Sequence, residues 1–248
     1  MSPSRRRTLL KIYEKLYAHF GPQYWWPGRT RFEIIVGAIL TQNTNWQNVE
    51  KAIRNLKAVR RLTPSGIHKL SSARLAQLIR PSGYFSVKAR RLKNFTEYLF
   101  AQYQGSLAWM AKIPTEKLRL ELLNINGIGP ETADSILLYA FDRPVFVIDA
   151  YTHRLLYRHG LIGRKEGYAD MQRLLNVHLP EDTRLFNEYH ALIVALGKNY
   201  CRPHPHCSEC PLNKVLYDEK ARCQKCYRWL GRGGKIKADF LCTECSAQ

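Results

Sequence analysis

The sequence predicts an all-α protein, and three observations carry that prediction. Apolar residues recur at helical spacing through 9–20, 32–40, 49–56, 75–79, 89–103, 118–123, 132–140, 150–159, 169–179 and 186–196. Proline and glycine punctuate the gaps, at Pro22, Pro27, Thr63-Pro64, Pro81-Ser82-Gly83, Pro114, 127–130, Pro144, 160–163 and Pro180. The loops so defined are short, as helices packed around one core require. Past Pro211 the helical period fades, and eight Lys or Arg stand against two acids from Lys214 to Lys237, which marks a small basic appendix.

Composition narrows the function. A chain of 248 residues with 45% apolar content has enough material for a sizeable core, so disorder is excluded as the default. Its 39 Lys and Arg against 20 Asp and Glu leave a formal net charge of +19, which repels itself unless a polyanion offsets it. Nucleic acid is the first candidate partner. No run approaches the roughly 18 apolar residues of a membrane-spanning helix, and no signal-peptide core follows Met1. A soluble, cytoplasmic, nucleoid-associated monomer with no membrane partner is expected.

Two features bear chemistry. In Leu123-Asn124-Ile125-Asn126-Gly127-Ile128-Gly129-Pro130-Glu131-Thr132-Ala133 a tight turn joins an apolar helix to a new helical start. Gly127 and Gly129 would let the backbone approach a phosphate, with the next helix's amides aimed at the anion. An ordinary helix–helix turn has the same look. Then Pro144-Val145-Phe146-Val147-Ile148 runs apolar and extended into Asp149, at the start of another helix. Taken alone, Asp149 reads as an N-cap.

Together the turn and an aspartate 18 residues after Glu131 resemble the helix-hairpin-helix DNA glycosylase superfamily, endonuclease III-like. The resemblance runs from about Pro22 to Pro211 and takes in Ile39-Leu40-Thr41-Gln42-Asn43-Thr44, Ile79-Arg80-Pro81-Ser82-Gly83-Tyr84 and Leu196-Gly197-Lys198-Asn199-Tyr200-Cys201. It implies double-stranded DNA carrying a damaged base as the partner and Asp149 as the catalytic carboxylate. Breaking an N-glycosidic bond builds positive charge on the sugar, which a buried carboxylate stabilises while orienting the attacking water. Capping and catalysis are compatible roles. The resemblance also makes Gln42 the side chain that fills the gap left by the flipped nucleotide; a local helix-capping role is the alternative.

Bifunctional relatives carry a lysine in the second hairpin helix, whose amine forms a Schiff base and nicks the strand. Glu131 holds that place here, which implies a monofunctional enzyme, although a displaced lysine could still act. Tyr24-Trp25-Trp26-Pro27 ahead of the Leu-Thr-Gln-Asn-Thr segment, with Trp46 after it, is similar to the bacterial 3-methyladenine glycosylase III branch. Trp25, Trp26, Pro27 and Trp46 would then stack on a cationic base such as 3-methyladenine, unless some of them are core. Lys198 would line the same pocket or, alternatively, complement a helix C-terminus; His190 reads as packed. The rival readings are an endonuclease III-like glycosylase with lyase activity on oxidised pyrimidines, a mismatch thymine or uracil glycosylase, and a non-catalytic DNA-binding module.

All seven cysteines lie after residue 200, which argues for metal in a reducing compartment rather than disulfides. Cys223-x2-Cys226-x15-Cys242-x2-Cys245 has the spacing of a four-thiolate zinc ribbon. With Arg228, Arg232 and Lys235 between its knuckles it resembles the DNA-gripping ribbon of formamidopyrimidine glycosylases. Cys201-x5-Cys207-x2-Cys210 resembles the start of the endonuclease III 4Fe–4S loop, but Leu216 stands where the fourth cysteine belongs. Cys223 could complete that cluster, a different ligand could serve, or the loop could be degenerate.

The resemblance divides the chain into a six-helix domain at 29–143 that contains the hairpin, a second helical domain made of 1–28 and 144–211, and a ribbon at 212–248. It places Asp149 in a cleft between the two helical domains. Elemental analysis of the purified protein tests the metal sites. About one zinc per chain is expected, with iron in the proportion of a 4Fe–4S cluster. Zinc without iron would mark the loop as degenerate, and neither metal above trace would remove both sites.

Overall fold

A computed structural model describes residues 3–163 and 165–215. The proposed zinc ligands Cys223, Cys226, Cys242 and Cys245, and the basic residues Arg228, Arg232 and Lys235, lie outside the described residues. Within them the protein is helical, divided into two compact units: one formed by Met1–Trp25 with the chain from Phe146 onward, the other by Trp26–Val145.

The first unit is built on α12 (Thr183–Asn199), which packs against α1 (Pro3–Phe20) and α10 (Ala150–Arg158); α11 (Tyr168–His178) leans on α1. Leu9, Ile12 and Leu16 recur on one face of α1 and are wholly buried, as the helical period requires. Tyr189 of α12 is buried with them. A phenol can enter such a core only if its hydroxyl finds an acceptor, and Tyr189 Oη donates to the Leu9 carbonyl at 2.8 Å. Asp182 starts α12 by accepting from the amides of Arg184 and Leu185 at 2.7 and 3.2 Å.

The second unit runs α2 (Arg31–Leu40), α3 (Trp46–Ala58), α4 (Pro64–Lys69), α5 (Ser72–Leu78), α6 (Phe85–Tyr103), α7 (Leu107–Met110), α8 (Thr115–Leu123) and α9 (Pro130–Ser135). Helix α2 is apolar around its circumference and sits in the middle, with Phe32, Ile35, Val36, Ile39 and Leu40 buried. Side-chain caps start α2, α3 and α4: Thr30 Oγ1 accepts from Glu33 N at 3.1 Å, Asn45 Oδ1 from Asn48 N at 3.0 Å, and Thr63 Oγ1 from Gly66 N at 3.0 Å. Lys88 of α6 is 1% exposed, and its burial, with the nearby Arg91 charge, lowers its ammonium to a pKa of about 8. Two carbonyls compensate it.

Where the apolar period suggests one helix over 132–140, α9 ends at Ser135 and a π turn occupies Ile136–Ala140. Ile136, Leu137, Leu138, Tyr139 and Ala140 are all buried, so there is no polar face whose spacing could report the change of pitch. Helices α4 and α7 span six and four residues, too short for the period to be visible.

Across the hairpin, Arg119 of α8 donates through Nε and a terminal nitrogen to the two Asp134 oxygens, at 2.7 and 3.1 Å. Asp134 has no exposed side-chain surface. Replacing Arg119 by Ala takes the guanidinium from a buried carboxylate, so urea unfolding should show a loss of about 3 kcal/mol. A loss under about 1 kcal/mol would mean that packing alone fixes the hairpin.

Candidate active site

Asp149 is placed by the segment that precedes it. Phe146 and Ile148 are buried, the Phe146 carbonyl accepts from Gln172 Nε2 at 2.8 Å, and the Ile148 amide donates to Tyr168 Oη at 3.4 Å. The chain then turns into α10 with Asp149 as its N-cap, in extended conformation. Oδ1 accepts twice from Thr152, from N at 2.7 Å and from Oγ1 at 2.9 Å. Oδ2 faces Nε2 of His190, on α12, at 3.5 Å. The sequence reading of His190 as packed is half the finding: it is 5% exposed, but it packs on the carboxylate. No spacing rule links residues so far apart in the chain.

These contacts set the charge of Asp149, whose side chain is 13% exposed. Burial alone pushes its carboxyl up. The His190 imidazole, followed by the Thr152 amide and hydroxyl, outweighs that and holds it below the ordinary 3.8. Asp149 is thus an ionised carboxylate, screened from water, with one oxygen fixed by a helix start and the other beside an imidazole.

Trp25 and Trp26, adjacent in sequence, have different neighbours. In the first unit the Lys198 ammonium lies 5.7 Å from the Trp25 ring centre, a cation–π contact. Trp26, in the second unit, meets Trp46 edge-on at 5.2 Å and Tyr139 of the π turn at 5.0 Å, and covers Gly37, where a Cβ would come within 3.1 Å of Trp26 Nε1. Trp46 Nε1 donates to Glu50 Oε1 at 2.9 Å, and Pro27 is exposed. Tyr139 was not legible in the sequence as a member of this aromatic group.

The hairpin turn folds around Ile125 and Ile128, both buried, with the Ile128 amide donating to the Ile125 carbonyl at 3.0 Å. Gly127 has φ +95, and a Cβ there would strike the Arg91 stem, so glycine is required. Gly129 differs. It is an extended N-cap with nothing within 4 Å of a Cβ position, so internal packing does not demand it. Gln42 Nε2 donates to the Gly127 carbonyl at 3.2 Å and to Thr132 Oγ1 at 2.8 Å. Thus Gln42 and the hairpin, expected to share a DNA-facing role, are in contact.

Cys201 and Cys210 are buried and Cys207 is half-buried. Arg154 and Arg158 of α10 hold their loop, donating to the carbonyls of Cys201 at 2.7 Å, Arg202 at 2.7 Å and Pro203 at 3.0 Å. Among the described residues no three His, Cys, Asp or Glu side chains converge as a metal would require.

The geometry predicts an acid-resistant carboxylate. Carbon-detected NMR should place the Asp149 midpoint below 3.8, and His190→Ala should move it upward, because burial then acts against fewer compensating groups. The stability this depressed value lends is present above 3.8 and is lost as pH falls through the folded midpoint. A wild-type midpoint at or above 3.8, or no shift in the variant, would contradict the assignment of His190.

Residues 36–181 match the family described as HhH-GPD superfamily base excision DNA repair protein. A Methanocaldococcus jannaschii protein that bears the name of a DNA repair glycosylase, MJ1434, is 46% identical over 216 residues, covering 86% of this chain and 98% of its own. Endonuclease III of Thermotoga maritima is 31% identical over 203 residues, covering 82% of this chain and 86% of its own. Among solved structures, the H. pylori 3-methyladenine DNA glycosylase bound to 1,N6-ethenoadenine is 28% identical with a TM-score of 0.64, covering 77% of this chain and 97% of that one. The chain therefore belongs to the helix-hairpin-helix superfamily of base excision DNA repair proteins, and it is an endonuclease III-like DNA N-glycosylase that acts on damaged bases.

Proposed function

We propose that this glycosylase hydrolyses the N-glycosidic bond of a flipped base with Asp149 as its catalytic group, and releases the base without cutting the strand. The observation that carries the proposal is the ionised, screened Asp149 carboxylate with Oδ1 committed to Thr152 and Oδ2 beside His190. As the glycosidic bond breaks, positive charge on the sugar is stabilised by the carboxylate, which is held in place by its cap and needs no reorganisation. The oxygen beside His190 is the one left to orient water. Glu131 stands where bifunctional relatives carry lysine and supplies no amine for a Schiff base.

For the substrate, the likeness to proteins named endonuclease III supports the endonuclease III-like reading of the sequence, an oxidised pyrimidine or a mismatched thymine or uracil. A specific observation favours a second reading, an alkylated purine such as 3-methyladenine. Trp26, Trp46 and Tyr139 form an aromatic group suited to stacking on a base, and the similar H. pylori structure is a 3-methyladenine DNA glycosylase bound to 1,N6-ethenoadenine. The DNA grip is electrostatic, drawing on the net charge of +19, and extends in this reading to Gly127, Gly129 and the ribbon residues Arg228, Arg232 and Lys235 on a zinc held by Cys223, Cys226, Cys242 and Cys245.

Base release from duplexes containing an oxidised pyrimidine, uracil, a thymine mismatch or methylated purines, read with and without hot alkali, tests this. Strand breaks that appear only after alkali are expected, and the duplex processed best assigns the substrate. Nicking without alkali would overturn the role given to Glu131.

A further inference from the structure

Helix α6 carries Lys88, Arg91 and Asn94 at three-residue steps, on one stripe of its surface. Each reaches a different piece of the second unit. Lys88 Nζ donates to the Leu40 carbonyl at 2.9 Å, just ahead of Gln42, and to the Ser82 carbonyl at 2.6 Å. Asn94 Nδ2 donates to the Asn126 carbonyl in the hairpin turn at 2.9 Å. Arg91, between them, lays its aliphatic stem over Gly127 and donates to the Gln42 carboxamide oxygen. With Nε2 of Gln42 already on the Gly127 carbonyl and Thr132 Oγ1, both ends of the Gln42 amide are held, one by the hairpin and the other by Arg91.

A side chain so held cannot enter a duplex until those bonds are exchanged. Arg91 is half-buried, and a guanidinium has five N–H donors. For a guanidinium a phosphate oxygen is a stronger acceptor than a neutral carboxamide, because it carries the opposite charge and a phosphate can accept from two N–H groups at once. We propose that Arg91 is a positioning residue that keeps Gln42 docked on the hairpin in the DNA-free protein and exchanges it for a backbone phosphate when the hairpin grips DNA. Phosphate capture and release of Gln42 are then one event. The inference rests on the reading of Gln42 as the residue that fills the vacated gap.

The test is a double-mutant cycle on the full chain, with a duplex containing a tetrahydrofuran abasic-site analogue as probe and affinity measured across a salt series. Arg91→Ala should weaken binding about tenfold, the loss of one charge-assisted bond, and lower the log–log salt slope by about 0.9, one phosphate. Arg91→Lys should restore the slope. In a Gln42→Ala background Arg91 has no internal acceptor to give up, so Arg91→Ala should cost a larger factor there than in the wild type. An unchanged slope in Arg91→Ala, or costs that simply multiply, would overturn the exchange. Should Gln42→Ala bind the abasic duplex as the wild type does while Arg91→Ala still lowers the slope, the gap-filling reading of Gln42 fails and Arg91 remains a phosphate contact only.

Discussion

The proposed chemistry depends on one constraint: a carboxylate must stay ionised where little water reaches it. Burial of Asp149 opposes that, and the fold answers with two arrangements that come from different parts of the chain. The start of α10 supplies the amide and hydroxyl of Thr152, and the buried face of α12 supplies His190. Helix capping is a common task, done in the same protein by Thr30, Asn45, Thr63 and Asp182. What separates Asp149 from them is the imidazole on its second oxygen. The cap anchors the carboxylate, and His190 helps to hold its charge.

A second constraint acts on the other unit. In the proposed function the hairpin presents a rigid backbone to a polyanion, and rigidity in a turn of six residues comes from side chains behind it. Ile125 and Ile128 fill the space under the turn, the Arg119–Asp134 pair joins its two helices, and Arg91 occupies the place a Cβ at Gly127 would need. Helix α6 contributes from outside the motif, which ties the hairpin to the Leu40–Gln42 segment as well as to its own helices.

Much of this was legible in the sequence because it is local. The helices declared themselves through apolar period and through the proline and glycine breakers between them, Asp149 through its place at a helix start, and Gly127 through its turn. The remainder depends on tertiary contact or on a change of helical pitch. His190 lies on an apolar helix face and carries no spacing signal toward Asp149. Tyr139 reaches Trp26 from a π turn inside a fully buried run, where periodicity is silent. Trp25 and Trp26 read together as stacking partners for an extruded base, and the passage of the chain from one unit to the other between them has no local signal. Gly129 looked equivalent to Gly127, but only the latter has a positive φ and a neighbour in the way.

The most direct test of the account is single-turnover base release by Asp149→Asn beside its affinity for the same lesion duplex. The substitution keeps an oxygen to cap α10 and removes the charge. Release should slow by at least about a thousandfold, the scale of losing a transition-state charge partner, with binding within a few-fold of the wild type. Release at the wild-type rate would contradict the central claim and leave Asp149 as a helix cap.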